Sequence, residues 1–200
     1  MLNLEENLSI SDCKKMLATT ERNVKRLIAV VDDLMRLCDE QESFDIEPIF
    51  LQDMFTSICN KLSPLIEEKD IDTEVTCNME TILGNLSLTY RAFYNLVENA
   101  IKYNKIGGRI NIQAESKNGI NRISISDIGD GISVDEIGYI FEPFYRIIKS
   151  RSRKTGGAGL GLSIVKMITE KHNWEITVDS ELGVGSIFTI NLNDKMEETL

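Results

Sequence analysis

A two-layer α/β sandwich, with a mixed and mostly antiparallel sheet covered on one face by helices and one long helix in front, is the fold this sequence predicts. Three observations carry the prediction. Segments with apolar residues every three or four positions interleave with short segments that alternate apolar and polar. Two pairs of alternating segments flank glycine turns: RINIQAES and INRISISD across Lys117-Asn118-Gly119, and WEITVDS and GSIFTINL across Gly183 and Gly185. Residues 1–42, by contrast, carry a single apolar stripe with no strand texture.

That stripe opens with Ser9 and Asp12 spaced as a capping box, after which Leu17, Val24, Leu27, Val31, Leu34 and Cys38 recur at three, four and seven. Ile28 and Met35 widen it, while Glu21 with Lys25 and Asp32 with Arg36 form favourable pairs on the wet face. About 30 residues at 1.5 Å each give a rod of roughly 45 Å. Such a length predicts packing on another helix or another subunit. From residue 43 to 194 a second domain is expected, with a tail over 195–200. FDIEPIF, IDTEVTCN and the ILG of residues 82–84 read as strands, LQDMFTSICNKLSPLIEEK as a helix with a possible kink at Pro64, and SLTYRAFYNLVENAIKYN and GLSIVKMITEKH as helices.

The chain has 200 residues, 42% hydrophobic and 27% charged, the composition of an ordinary soluble globular protein. A net charge of −10 repels nucleic acid and anionic membranes alike, so neither is an expected partner. Cys13, Cys38, Cys59 and Cys77 show no C-x-x-C pairing, which points to reduced thiols of a cytoplasmic protein and not to zinc or a disulfide framework. No apolar run approaches the length of a membrane span, and MLNLEENLSI has no signal-peptide pattern.

Four constellations carry candidate chemistry. In NLVENAIKYN, Asn95, Asn99, Lys102 and Tyr103 share one helix face, opposite Phe93, Leu96, Val97 and Ala100, which are expected to bury against the sheet. Asparagine is an indifferent helix former, so this face is either a solvated surface or a metal and phosphate site, an Asn carbonyl being a hard ligand suited to Mg²⁺. DIGDGI, at the end of an alternating strand, is either a turn or a purine contact, in which the Asp127 carboxylate accepts from an exocyclic amine while Gly129 and Gly131 allow close approach to the ring. RIIKSRSRK holds Arg146, Lys149, Arg151, Arg153 and Lys154 in one loop; without them 17 basic residues face 32 acidic ones, a balance of −15. A solvated loop, a nucleic-acid arm and a phosphate lid are the readings open to it. GGAGLGL then opens a helix, where backbone N–H groups can cradle phosphates.

In this order, NLVENAIKYN, DIGDGI, IFEPFYR, GGAGLGLSIVK and ELGVGSIFTINL closely resemble the N, G1, F and G2 boxes and the closing glycine hairpin of the ATP-binding catalytic domain of bacterial sensor histidine kinases. The resemblance spans residues 44–193. ATTERNVKRLIAVVDDLMRLCDEQ likewise resembles the second helix of that family's dimerisation and phosphoacceptor hairpin, which packs in a four-helix bundle. The resemblance implies the Bergerat-type ATP fold, ATP and Mg²⁺ as cofactors, a homodimeric full-length parent anchored in the membrane, a phosphoacceptor histidine helix and a response regulator as partners. It implies Asn99 as the Mg²⁺ ligand supported by Asn95, Lys102 on phosphate, Tyr103 beside the nucleotide, and Asp127 on the adenine amine with Gly129 and Gly131 lining that pocket. Gly157, Gly159 and Gly161 would flank the triphosphate, and Arg146, after Phe141 and Phe144, would neutralise the γ-phosphate during transfer. Ile132, Phe141, Leu160, Leu162, Lys149 and Arg151 would complete the nucleotide contacts, under a lid over residues 145–158.

Two departures refine what the resemblance implies. ATPases of this fold carry a water-activating glutamate four residues before the Mg²⁺ asparagine; here that position is Asn95, which favours transfer to a protein side chain over hydrolysis. Sensor kinases present their acceptor in a short H-E/D-x-R/K-T/N-P stretch, absent here, and residues 1–40 contain no histidine. The expectation is therefore a kinase fragment whose acceptor lies elsewhere and which does not phosphorylate itself; a non-catalytic nucleotide-binding docking module is the rival reading. His172, the only histidine, closes the glycine helix and is expected to pack near Trp174 or to face solvent with some benefit from the helix dipole.

Overall fold

The computed structural model describes residues 44–117, 119–147 and 159–193, with Met16, Leu17, Thr20 and Glu21. The long helix expected over 1–42 otherwise lies outside the described residues, as do Asn118, the basic loop with Lys149 and Arg151, Gly157 and the tail. The four early positions are helical, with Thr20 Oγ1 donating to Met16 O at 2.9 Å. The chain divides into two units, Met1–Ser43 and Phe44–Leu200.

In the second unit the elements run β1 (Glu47–Phe50), α1 (Leu51–Glu68), β2 (Asp72–Cys77), β3 (Thr81–Gly84), α2 (Leu86–Tyr103), β4 (Arg109–Lys117), β5 (Ile120–Asp127), α3 (Val134–Ile137), α4 (Gly161–Lys171), β6 (Glu175–Glu181) and β7 (Gly185–Leu192). Five strands form one sheet in the order β2-β4-β5-β7-β6, antiparallel except for the parallel pair β2 and β4. β1 and β3 pair antiparallel in a separate two-stranded sheet, where Ile49 faces Ile82.

Strand alternation produces one dry face. Ile110, Ile112 and Ala114 of β4, Ile123 and Ile125 of β5, and Phe188, Ile190 and Leu192 of β7 are buried, while their neighbours along each strand are more open. α1, α2 and α4 supply the opposing layer: Phe55 and Ile58 of α1, Phe93, Leu96, Val97 and Ala100 of α2, and Ile164, Val165 and Ile168 of α4 are all buried. Phe55 and Phe93 meet edge to face at 5.1 Å, joining α1 to α2. On the wetter face Glu115 pairs with Arg122 directly across β4 and β5.

Local sequence explains the helix boundaries. The N-cap of α2 is Asn85, whose side chain accepts from Leu88 N at 3.1 Å. α1 runs through Pro64, which is exposed. α4 ends at His172, a buried residue stacked on Trp174 with ring centroids 4.2 Å apart. The packing on Trp174 is as the sequence predicts, but the dipole benefit is not realised. Burial pushes the imidazole pKa down, opposed by its bond to Ile168 O and reinforced by Lys171, so the neutral ring is favoured. Cys59 and Cys77 are free thiols whose pKa values burial raises.

Candidate functional site

One cavity of about 390 Å³ opens between the end of α2, the DIGDGI turn, the segment around Arg146 and the start of α4. Of the residues the sequence singles out, Asn99, Lys102, Tyr103, Asp127, Gly131, Ile132, Arg146 and Leu162 line it. Its apolar wall is Ile132, Ile140, Leu162 and Phe188, while Asp127, Ser186 and the amide and cationic groups of Asn99, Lys102 and Arg146 provide polar contacts. An apolar slot with a few converging polar groups is the usual build of a small-molecule site.

α2 sets the polar end. Asn95 and Asn99 lie one turn apart and face the first residue of α4: a Cβ added at Gly161 would sit 3.8 Å from Asn95 Oδ1 and 3.9 Å from Asn99 Nδ2. Two carboxamides and a helix N-terminus thus converge. Asn95 does not itself line the cavity, and its Nδ2 is buried without a hydrogen-bond partner. A turn further on, burial raises the Tyr103 phenol pKa; the Arg146 charge opposes the shift and Glu98 adds to it. The Lys102 ammonium stands 5.2 Å from the Tyr103 ring centroid.

The other end belongs to Asp127. Its Oδ1 accepts from Gly129 N at 2.8 Å, and the neighbouring strand adds a backbone bond from Ser186, its register partner. Burial, the larger effect, raises the carboxyl pKa; the two N–H groups lower it, and nearby Asp130 raises it again. The turn is stitched in place from both sides, because Asp130 N donates to Tyr103 O at 3.1 Å and Asp130 O accepts from Gly183 N at 2.8 Å.

The glycines are also fixed by the protein around them. A Cβ at Gly129 would lie 2.2 Å from Tyr103 O, and one at Gly131 would lie 2.0 Å from Glu181 O. Backbone packed against backbone excludes a side chain at both. Gly159, at φ +75°, similarly lies against Phe144 and Tyr145, and its carbonyl accepts from Phe144 N at 2.9 Å. Phe141 and Leu160 do not line the cavity. Ile140 is buried there while Phe141 is half-buried elsewhere, and Leu160 turns into the core as the N-cap of α4. Lys149, Arg151 and Gly157 lie outside the described residues.

Sequence reasoning missed Lys69, Asn104, Asp130, Ile140, Tyr145, Ile147, Ser186 and Phe188 on the cavity wall. All but Lys69 lay in motifs already marked: Asn104 ends NLVENAIKYN, Asp130 is inside DIGDGI, Ile140 and Tyr145 are inside IFEPFYR, Ile147 is inside RIIKSRSRK, and Ser186 and Phe188 are inside the closing hairpin. No helix among the described residues is long and apolar enough to cross a membrane, and no described His, Cys, Asp and Glu side chains form a metal-holding group.

Comparison with known proteins places this geometry. Residues 84–196 match the family of histidine kinase-, DNA gyrase B- and HSP90-like ATPases. Sensor histidine kinase RppB of Synechocystis sp. is 40% identical over 182 residues, covering 88% of this chain and 40% of RppB. The chain spans less than half the length of the curated relatives it matches. Among solved structures, full-length ShkA in complex with AMPPNP superposes with a TM-score of 0.72 at 26% identity, covering 93% of this chain and 39% of ShkA. Histidine kinase ThkA, in complex with the response regulator protein TrrA, shares the fold with a TM-score of 0.71 at 22% identity, over 98% of this chain and 54% of ThkA. With a matched family model over more than half its length, a Bergerat-type sandwich and an asparagine helix facing a glycine helix, this chain belongs to the family of histidine kinase-, DNA gyrase B- and HSP90-like ATPases.

Proposed function

We propose that this chain binds Mg·ATP in the cavity between α2, the DIGDGI turn and α4, and delivers the γ-phosphoryl group to a protein histidine other than His172. The observation that carries this reading is the pairing of Asn95 and Asn99 across from Gly161, with Asn95 where a hydrolytic relative would hold its glutamate base.

The residues fit the ligand. Asn95 Nδ2 is a buried donor without a protein acceptor, and Asn99 is a hard neutral oxygen donor of the kind Mg²⁺ takes sparingly beside phosphates. Mg²⁺, when bound, would neutralise phosphate charge and be held by Asn99. Asp127 accepts from the adenine amine, with Gly129 N and Ser186 N fixing its carboxylate. Ile132, Leu162 and Phe188 exclude water from the ring. Lys102 and Arg146 neutralise the triphosphate, and positioning with neutralised charge is most of what phosphoryl transfer requires. Lys149, Arg151, Gly157, Gly159 and Gly161 belong to the lid and phosphate edge in this reading. His172 is excluded as acceptor by its burial and by the bonds at both its ring nitrogens.

The acceptor histidine then passes its phosphoryl group to an aspartate of a response regulator, with the full-length parent a dimer working at the cytoplasmic side of the membrane. The sensor-kinase relatives and the ThkA–TrrA assembly support these partners. The test is incubation of the chain with γ-labelled ATP and Mg²⁺, alone and with a separate acceptor hairpin. Expected are nucleotide binding, little free phosphate, no label on this chain and acid-labile label on the hairpin. Rapid steady release of phosphate, or labelled His172, overturns the reading.

A further inference from the structure

Lys69 is a cation that no nucleotide motif explains. It is the C-cap of α1, and its side chain crosses to the far end of α2. There Nζ donates to three carbonyls: Ile101 O at 3.0 Å, Lys102 O at 2.7 Å and Asn104 O at 3.0 Å. An ammonium has three protons, and here three acceptors converge on it.

A helix ends with its last carbonyls lacking intrahelical partners. The common remedy, a left-handed residue after the last turn, is absent: Asn104 is extended at φ −71° and ψ 160°. The Lys69 charge takes that place, with the favourable sign for the negative end of the helix. The one carbonyl in this run that Lys69 leaves alone, Tyr103 O, receives Asp130 N at 3.1 Å. Four consecutive carbonyls are thus met by an ammonium and the DIGDGI turn, with Ile101 O also accepting from Asn104 N at 3.3 Å. Lys69 is itself held, since its own carbonyl accepts from Gly107 N at 2.9 Å. Burial lowers its pKa, while the carboxylates of Asp130 and Glu68 work the other way.

We propose that Lys69 is a built-in cation that fixes the end of α2 and, through Tyr103, the DIGDGI turn, making it a positioning residue of the nucleotide site. Although Lys69 lines the cavity, its three protons are committed to carbonyls, so it is not a phosphate ligand. The positioning role rests on the nucleotide reading above; the fixing of the turn does not.

Lys69→Ala removes Cγ through Nζ and leaves three carbonyls pointing into a hole long enough for a small alkylammonium. The experiment measures hydrogen exchange at the Asp130 amide and the affinity for ATP in wild type, Lys69→Ala and Lys69→Met, the last keeping the apolar stem. Each is titrated with methylammonium at constant ionic strength, balanced by tetramethylammonium, which has no N–H to donate. Removing charged hydrogen bonds predicts roughly ten- to hundredfold faster exchange and a similar loss of affinity in both variants. Methylammonium should restore Lys69→Ala, and tetramethylammonium should not. Wild-type exchange in a folded variant, or a Lys69→Ala defect that methylammonium leaves untouched, overturns the proposal. A wild-type chain that binds no ATP overturns the function reading instead, and the exchange data judge Lys69 without it.

Discussion

His172 Nε2 accepts the backbone N–H of Asn85 at 2.9 Å, tying the end of α4 to the N-cap of α2. Nδ1 lies 2.8 Å from Ile168 O, so the ring carries its proton on Nδ1 and is neutral in this arrangement. Phe44 meets it edge on at 4.7 Å and Trp174 stacks on its face. Replacing it by Phe keeps the stack and removes the acceptor. His172→Phe should lower unfolding free energy by about 1–3 kcal/mol in urea titration, the cost of an unpaired amide, while leaving nucleotide affinity intact in the folded protein.

The same ring sets a pH dependence of stability. Its pKa is lower folded than unfolded, so the unfolded chain gains a proton first as pH falls. The contribution is complete above the unfolded value of about 6.5 and is lost progressively as pH drops from there through the folded value. Urea midpoints should fall between about pH 7 and 5 in the wild type, and this part of the decline should vanish in His172→Phe.

Asp127 predicts a pH effect on binding. Only the carboxylate accepts on all its lone pairs, and burial raises its pKa above that of an ordinary aspartate. ATP affinity should therefore weaken on acidification at a pH above the usual aspartate value of about 3.9. Asp127→Asn should bind more weakly throughout and lose that dependence; isothermal titration across pH measures both. An unchanged pH profile in the variant would remove Asp127 from the adenine site.

Much of the fold is legible in sequence because each element carries its own period. Phe93, Leu96, Val97 and Ala100 mark the dry side of α2, and the hairpins announce their turns. Pairing between distant segments is not legible: nothing local shows that β3 leaves the main sheet to join β1, or that β2 runs parallel to β4. α3 escapes notice because its four residues bury nothing and so carry no stripe. In the site, Asn99, Lys102 and Asp127 stand out as polar groups where apolar ones would serve the fold. Lys69 and Ser186 reach the cavity only through tertiary contact, one across from α1 and the other through strand register. Gly129 and Gly131 stand out in sequence as glycines of a turn, but the backbone that packs against them, Tyr103 O and Glu181 O, comes from distant segments.

That packing makes a prediction by contrast. Gly131 and Gly107 both have φ near +65°, at +65° and +67°, yet a Cβ at Gly131 meets Glu181 O at 2.0 Å while one at Gly107 meets nothing within 4 Å. Gly107→Ala should cost only the left-handed strain, about 1 kcal/mol. Gly131→Ala adds a backbone collision and should cost more than about 3 kcal/mol, or abolish folding. Thermal melts of the two variants, made side by side, separate strain from collision; equal losses would mean that the turn moves freely.

Asn95 separates stability from binding. Its Nδ2 is already buried without a partner, so the folded chain bears the desolvation cost of that group and gains no bond in return. Removing it should then be nearly neutral for the unliganded fold, unlike most truncations of a half-buried side chain. If the amide finds its acceptor on Mg·ATP or on water ordered by it, the whole effect appears on binding. Asn95→Ala should leave the thermal midpoint within a few degrees of wild type and weaken Mg·ATP roughly tenfold or more, as expected for one hydrogen bond to a charged group. The loss should shrink for adenosine, which presents no phosphate to that end of the cavity. Equal weakening for adenosine and Mg·ATP would place Asn95 in the support of the pocket and not at its phosphate end.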